Sequence, residues 1–177
     1  MTSPTGTTVT TEALAIRVLE ACRRHKSMLA TAESCTGGMV AAALTGIAGS
    51  SDVVERGFVT YSNEAKCELL GVPVALIDRH GAVSAEVAAA MAEGALRHAR
   101  AFVAVSVTGI AGPGGGSEAK PVGLVHFAAA SGNGRLVRLE RRYGSLGRGA
   151  IREAATADAL RLVITLLDPD QATGGLP

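Results

Sequence analysis

The chain of 177 residues has no tryptophan, two tyrosines and three phenylalanines. Proteins that bind single-stranded nucleic acid stack bases on aromatic side chains over a basic surface, and this chain has little to stack on. It also has little net charge. Its formal charge is +1, so no strong field recruits DNA or an anionic membrane. Basic residues are dispersed except between Arg135 and Arg148, a cluster that reads first as a solvated strand edge and second as a phosphate contact. There are three cysteines, Cys22, Cys35 and Cys67. An odd count without a CxxC pair fits reduced thiols in a cytoplasmic protein and not a disulfide framework. His25, His80, His98 and His126 show no HxH or HxxxH spacing, so no metal site is expected. The polar start, MTSPTGTTVTTEA, has no basic stretch leading into an apolar one, which argues against a secretory signal. No run of about 18 apolar residues suggests a membrane span.

What is present is small and apolar. Hydrophobic residues make up 47% of the chain, enough for a sizeable core built from alanine and aliphatic side chains. Leu14, Val18, Ala21 and Cys22 recur at helical spacing. Met28–Ala32 reads as a buried strand, Met39–Leu44 as a helix and Val53–Tyr61 as a second strand. Ser62 caps a helix that Gly71 ends. Another helix starts at Val83-Ser84, with Val87, Met91, Ala95 and Leu96 inward. Phe102–Val107 is an apolar strand. Strands at 122–129 and 135–143 flank the turn Ser131-Gly132-Asn133-Gly134, a strong hairpin signal. A last helix covers 149–167, with Ile151, Ala155, Leu160, Val163 and Leu167 inward, and Asp168-Pro169 ends it. This order predicts a three-layer α/β/α sandwich with a mixed, mostly parallel sheet. One domain is expected over 10–168, between disordered tails at 1–9 and 169–177.

Three stretches hold chemistry-bearing residues. In the first, Glu33 to Gly38, Ser34 stands on a sharp strand-to-helix turn. The N–H groups that follow sit at a helix N-terminus, where they suit an oxyanion or a phosphate. Taken by itself, the stretch favours a plain helix cap by Ser34 or Thr36. Cys35 competes as nucleophile, since a helix N-terminus lowers a thiol pKa. The second stretch, Thr60 to Lys66, places Tyr61 and Lys66 where a strand passes into a helix. A lysine becomes a base near neutral pH only when desolvated or placed beside another cation, and composition alone favours an exposed one. The third stretch follows the Phe102–Val107 strand, with five glycines between Gly109 and Gly116. Its backbone can approach a ligand closely, or it can be a mobile loop. Walker A and GxGxxG spacings are absent.

Together these segments resemble one family. TAESCTGG (31–38), TGIAGSSDVVERGFVTYSNEAK (45–66), HGAVS (80–84), SVTGIAGPGGGSEAKPVG (106–123) and the helix start around Arg148 and Arg152 are similar to the CinA carboxy-terminal domain, the nicotinamide-nucleotide amidohydrolase family. The resemblance implies a cytoplasmic, cofactor-free amidase that converts nicotinamide mononucleotide to nicotinic acid mononucleotide and ammonia. It implies Ser34 as nucleophile, Lys66 as its base, Tyr61 as a group that orients the pair or contacts the substrate, and Ser51 as a second candidate hydroxyl. Thr36, Gly37, Gly38, Thr108, Gly109 and Gly112 would line the nucleotide site, and Arg148 would meet the phosphate. The family often has Asp before that arginine, where this chain has Gly147. The competing reading is a pyridine-nucleotide-binding regulatory module without turnover. No nucleic-acid or membrane partner is expected, and a symmetric dimer is the default assembly.

Overall fold

The computed structural model describes residues 9–170. The tails expected at 1–9 and 169–177 therefore lie outside it except for residues 9, 169 and 170. The elements run α1 (Thr11–Arg24), β1 (Leu29–Glu33), α2 (Met39–Thr45), β2 (Val54–Val59), α3 (Asn63–Leu70), α4 (Val74–His80), α5 (Ala85–His98), β3 (Val103–Gly109), β4 (Leu124–Ser131), β5 (Leu136–Arg142) and α6 (Arg148–Leu167). A single 3-10 turn at Ser50–Asp52 precedes β2. The sheet order is β2-β1-β3-β4-β5. β1 pairs in parallel with β2 and β3, and the two later ladders are antiparallel. Four strands thus share one direction and β4 alone is reversed, which gives the mixed sheet that the hairpin signal foretold.

The period-two alternation of strand side chains divides the core. Leu29, Val103, Val105, Val107, Val125 and Phe127 pack with α1, α2 and α6 on one face. Ala30, Ala32 and Ala104 pack with α3, α4 and α5 on the other. β1, buried along its whole length, contributes to both faces. Helix starts are set locally, as Thr10, Ser62 and Ser84 each accept a backbone N–H at the head of α1, α3 and α5. Among the described residues no helix is long and apolar enough to cross a membrane.

Small residues let the helices approach closely. At Gly94 a Cβ would stand 2.1 Å from the Leu70 carbonyl oxygen, so α5 lies directly against the end of α3, the helix that carries Lys66. Gly94→Ala must push these elements apart. We expect a loss of about 2–4 kcal/mol, because overpacking against a backbone atom has no flexible side chain to absorb it. Thermal unfolding should show it as a Tm about 5–10 °C lower. An unchanged Tm would mean that α3 and α5 slide freely.

Candidate functional site

The site stands at the end of the sheet where β1, β2 and β3 finish. The Ser34 N–H donates to the Val107 carbonyl, 2.9 Å, and the Thr60 N–H to the Glu33 carbonyl, 2.8 Å. These bonds extend the parallel ladders one residue past β1 and fix Ser34 on the α3–α5 face. Lys66, in the first turns of α3, is 1% exposed. Its Nζ lies 3.1 Å from Ser34 Oγ, 2.9 Å from the Thr60 carbonyl oxygen and 3.4 Å from the Ser62 carbonyl oxygen. Burial lowers the Lys66 pKa from its ordinary value, partly offset by Cys35, Cys67 and Glu64. With two protons on the two carbonyls, the neutral amine has a lone pair free to accept the Ser34 hydroxyl proton. The exposed lysine favoured by composition is therefore replaced by a buried one in contact with a serine.

The plain-cap alternative for Ser34 and Thr36 also fails, because another side chain takes that role. Glu33, buried on the α2 face, accepts from the N–H groups of Gly38 (3.0 Å), Val40 (3.0 Å) and Ala41 (2.8 Å). A carboxylate thus occupies the α2 N-terminus, where charge and unpaired donors favour an anion. The placement of an oxyanion at that helix end is corrected accordingly: those donors are spent. The donors that remain, on Thr36 and Cys35, lie two and three residues before Gly38. Among the described residues the Thr36 N–H has no partner, and the Cys35 N–H reaches only its own sulfur. Burial pushes the Cys35 thiol up to about 11, which removes the thiolate a cysteine nucleophile needs.

The second part of the site is open to solvent. Tyr61, next to Thr60, is 59% exposed. Its hydroxyl accepts from Arg148 Nη2 at 2.6 Å, and Arg148 Nη1 donates to the Gly112 carbonyl at 2.9 Å. One guanidinium thus joins the end of β2, the glycine-rich loop and the head of α6. Gly147, in place of the family's aspartate, has φ 89° and ψ 151° and caps nothing with a side chain. Arg148 is held by its own two bonds instead. The loop is tethered as well. Lys120 Nζ donates to the carbonyls of His80 and, at 2.8 Å, Val83. The Thr108 hydroxyl donates to the Ala82 carbonyl at 2.8 Å. The HGAVS segment is therefore the anchor on which β3 and the loop rest.

Not every expected residue joins this site. Ser51 lies in the turn before β2, and Ser34 lies after β1. Because β1 and β2 run parallel, paired from Leu29↔Val54 to Glu33↔Val59 with one register shift after Leu29, Ser51 sits at the opposite end of the sheet. The strand between spans about 13 Å at ~3.3 Å per residue. Gly109 and Gly112 lie beside the site, but the space of a Cβ there is already filled, by Val125 Cγ2 at 2.6 Å and Val122 Cγ1 at 2.7 Å. Packing alone therefore requires glycine at both. Gly38 spends its N–H on Glu33, and Gly37 spends its N–H on the Ser34 carbonyl at 3.0 Å. Sequence reasoning missed the capping role of Glu33. The available signal was a charged residue ending an apolar strand directly before a helix. Among the described residues no group of His, Cys, Asp and Glu is arranged to hold a metal ion.

Comparison with known proteins places this geometry. The family profile of the CinA C-terminal domain matches residues 11–167. A CinA-like protein of Synechococcus sp. (strain RCC307) is 55% identical over 86% of this chain, which spans 36% of that longer protein. Nicotinamide-nucleotide amidohydrolase PncC of Escherichia coli (strain K12) is 53% identical over 84% of this chain and 89% of its own length. Among solved structures, the competence/damage inducible protein of Agrobacterium tumefaciens superposes with a TM-score of 0.87 at 54% identity, covering 88% of this chain and 94% of that one. A CinA superfamily protein of Escherichia coli gives 0.86 at 33% identity, with 93% and 95% covered. The chain belongs to the CinA C-terminal domain family.

Proposed function

We propose that residues 10–168 form one amidase domain that hydrolyses the carboxamide of nicotinamide mononucleotide, releasing nicotinic acid mononucleotide and ammonia. The observation that carries this reading is the buried contact between Ser34 Oγ and Lys66 Nζ at 3.1 Å. The similarity to an amidohydrolase over most of both chains supports the choice of substrate. A nucleotide-binding module without turnover has no use for a buried lysine, whose desolvation costs stability.

In the proposed sequence Ser34 Oγ attacks the carboxamide carbon while Lys66 takes its proton. The pyridinium ring makes that carbon more electrophilic than in a plain amide. Negative charge develops on the carbonyl oxygen and is met by backbone N–H groups of the Ser34 turn. The carbon–nitrogen bond then breaks, Lys66 returns the proton, and ammonia leaves. Water, deprotonated by the same amine, hydrolyses the ester and frees Ser34. The Ser34 proton passes through Lys66 to the departing nitrogen, which leaves with the carbon–nitrogen electron pair, and the proton taken from water returns to Ser34.

Arg148 is the proposed phosphate contact. Two of its nitrogens hold Gly112 and Tyr61, and a guanidinium has further N–H groups to offer an anion. Arg148→Ala is expected to raise KM by at least about tenfold and to change kcat little, since phosphate binding is shared by ground and transition states. Steady-state ammonia release decides it, and a kcat loss at constant KM would move Arg148 away from the phosphate. Ammonia release from nicotinamide mononucleotide, lost in Ser34→Ala, tests the whole proposal. Binding without release would favour the regulatory module. The proposal includes a cytoplasmic setting, in keeping with three free thiols, and a symmetric dimer.

A further inference from the structure

Arg152 takes no part in the sequence of steps above, yet it touches the turn where they occur. It follows Arg148 by four residues on α6 and so shares its face. It is half-buried, and none of the ion pairs among the described residues includes it. Its Nε donates to the Cys35 carbonyl at 3.1 Å and its Nη2 to the Thr36 carbonyl at 2.9 Å. Gly37 follows these two carbonyls at φ 59°, a left-handed conformation that favours glycine.

Holding a carbonyl fixes the peptide plane to which it belongs. In a trans peptide the N–H points opposite to the C=O, and Cys35–Thr36 is trans. With the Cys35 carbonyl turned toward α6, the Thr36 N–H turns away from α6. α6 packs on the face of α1 and α2, and Lys66 meets Ser34 on the other face. The partnerless N–H is therefore directed off the α6 side, within the buried turn that carries Ser34. The Thr36 carbonyl, gripped by Nη2, fixes the next plane, whose N–H closes the turn onto the Ser34 carbonyl at 3.0 Å.

We infer that Arg152 is a positioning residue: its guanidinium sets the orientation of the Cys35–Thr36 peptide so that the Thr36 N–H serves as an oxyanion donor for Ser34. The inference rests on Ser34 being the nucleophile. Planarity matters, because two carbonyls on successive peptides need two N–H bonds in fixed relation, which an ammonium does not supply.

The test uses three variants, Arg152→Ala, Arg152→Lys and Arg148→Ala, and two readouts. With nicotinamide mononucleotide, Arg152→Ala should lose about 10²-fold in kcat, the scale of one oxyanion donor, at a KM within about twofold of the wild type. Added guanidinium at millimolar concentration should restore part of that rate to Arg152→Ala and none to Arg148→Ala. Arg152→Lys should fall between the wild type and Arg152→Ala. The second readout does not depend on the substrate. A fluorophosphonate phosphonylates an activated serine, the O–P bond forming as fluoride leaves and the hydroxyl proton passes to the base, and its phosphonyl oxygen needs the same donor. Labelling of Ser34, followed by mass, should be at least tenfold slower in Arg152→Ala. Equal labelling rates in the wild type and a folded Arg152→Ala variant, or a kcat loss that guanidinium does not relieve, would overturn the role. A wild type that labels at Ser34 without releasing ammonia would fell the substrate assignment and leave the labelling comparison to decide Arg152. A wild type that does neither would overturn both.

Discussion

Lys66→Arg is expected to lose at least about 10³-fold in kcat although it keeps the positive charge and the capacity to bond Thr60 and Ser62. General-base catalysis contributes about 10²–10⁴-fold, and an arginine cannot give up its proton within a protein. The pair Lys66→Arg and Lys66→Met separates two roles. If Lys66 works as a charge, arginine retains activity and methionine does not. If it works as a base, both are inactive to a similar degree. The pH profile gives the sign. Burial disfavours the ammonium, so the Lys66 pKa lies below the ordinary 10.5. The wild-type kcat/KM should rise with pH as the amine becomes neutral, and should level off at a lower pH than an exposed lysine would allow. That acid limb should vanish from the residual activity of Lys66→Met. Wild-type kcat in Lys66→Arg would remove Lys66 from proton transfer and leave Ser34 to be activated by another group.

The layers of this fold were legible because its cores are sorted by period. The α1 residues Leu14, Val18, Ala21 and Cys22 are all buried. So are Ile151, Ala155, Leu160, Val163 and Leu167 of α6. The Ser131–Gly134 turn closes the β4–β5 hairpin as its glycines announce. α4 was missed for a physical reason. It has seven residues, follows Pro73 with no side-chain cap, and buries only Ile77, so it offers no periodicity to detect. The site was legible in its parts and not in their relations. A strand read at Val53–Tyr61 already places Ser51 before that strand, and Ser34 follows the one before it. In a parallel pair these are opposite ends, but the pairing itself is not written in either segment. The contact between Ser34 and Lys66 depends on the same pairing, because the ladder past Glu33 sets the face to which Ser34 points. Arg152 stands beside Arg148 in a segment the sequence already marks, but its target is not written there, because it belongs to a turn more than a hundred residues earlier.

Glu33→Ala is expected to produce the largest stability loss of any single change beside the site. The carboxylate accepts from three backbone N–H groups of the α2 start, with the Thr31 hydroxyl 3.3 Å away. Removing it leaves the Val40 N–H buried and unpaired and the Gly38 and Ala41 N–H groups unpaired and part-buried, at up to about 1–3 kcal/mol each, and takes a negative charge from the positive end of a helix. A loss of about 3–5 kcal/mol follows if relaxation or a water recovers part of this. For a chain of this size that is a Tm lower by about 10–15 °C. Glu33→Gln should be milder. Its carboxamide oxygen still accepts, but its NH2 group must then face a helix N–H, so about half of the loss should persist. The comparison also separates structure from chemistry. Glu33 sits on the face of β1 opposite Ser34, and its proposed effect on rate runs through the turn alone. Folded Glu33→Gln should therefore keep the wild-type pH profile with a reduced kcat, as the Thr36 N–H loses its fixed direction. A pH profile that changes shape in Glu33→Gln would show instead that this carboxylate exchanges protons with the reaction. A Tm unchanged in both variants would show that the α2 start is satisfied without it.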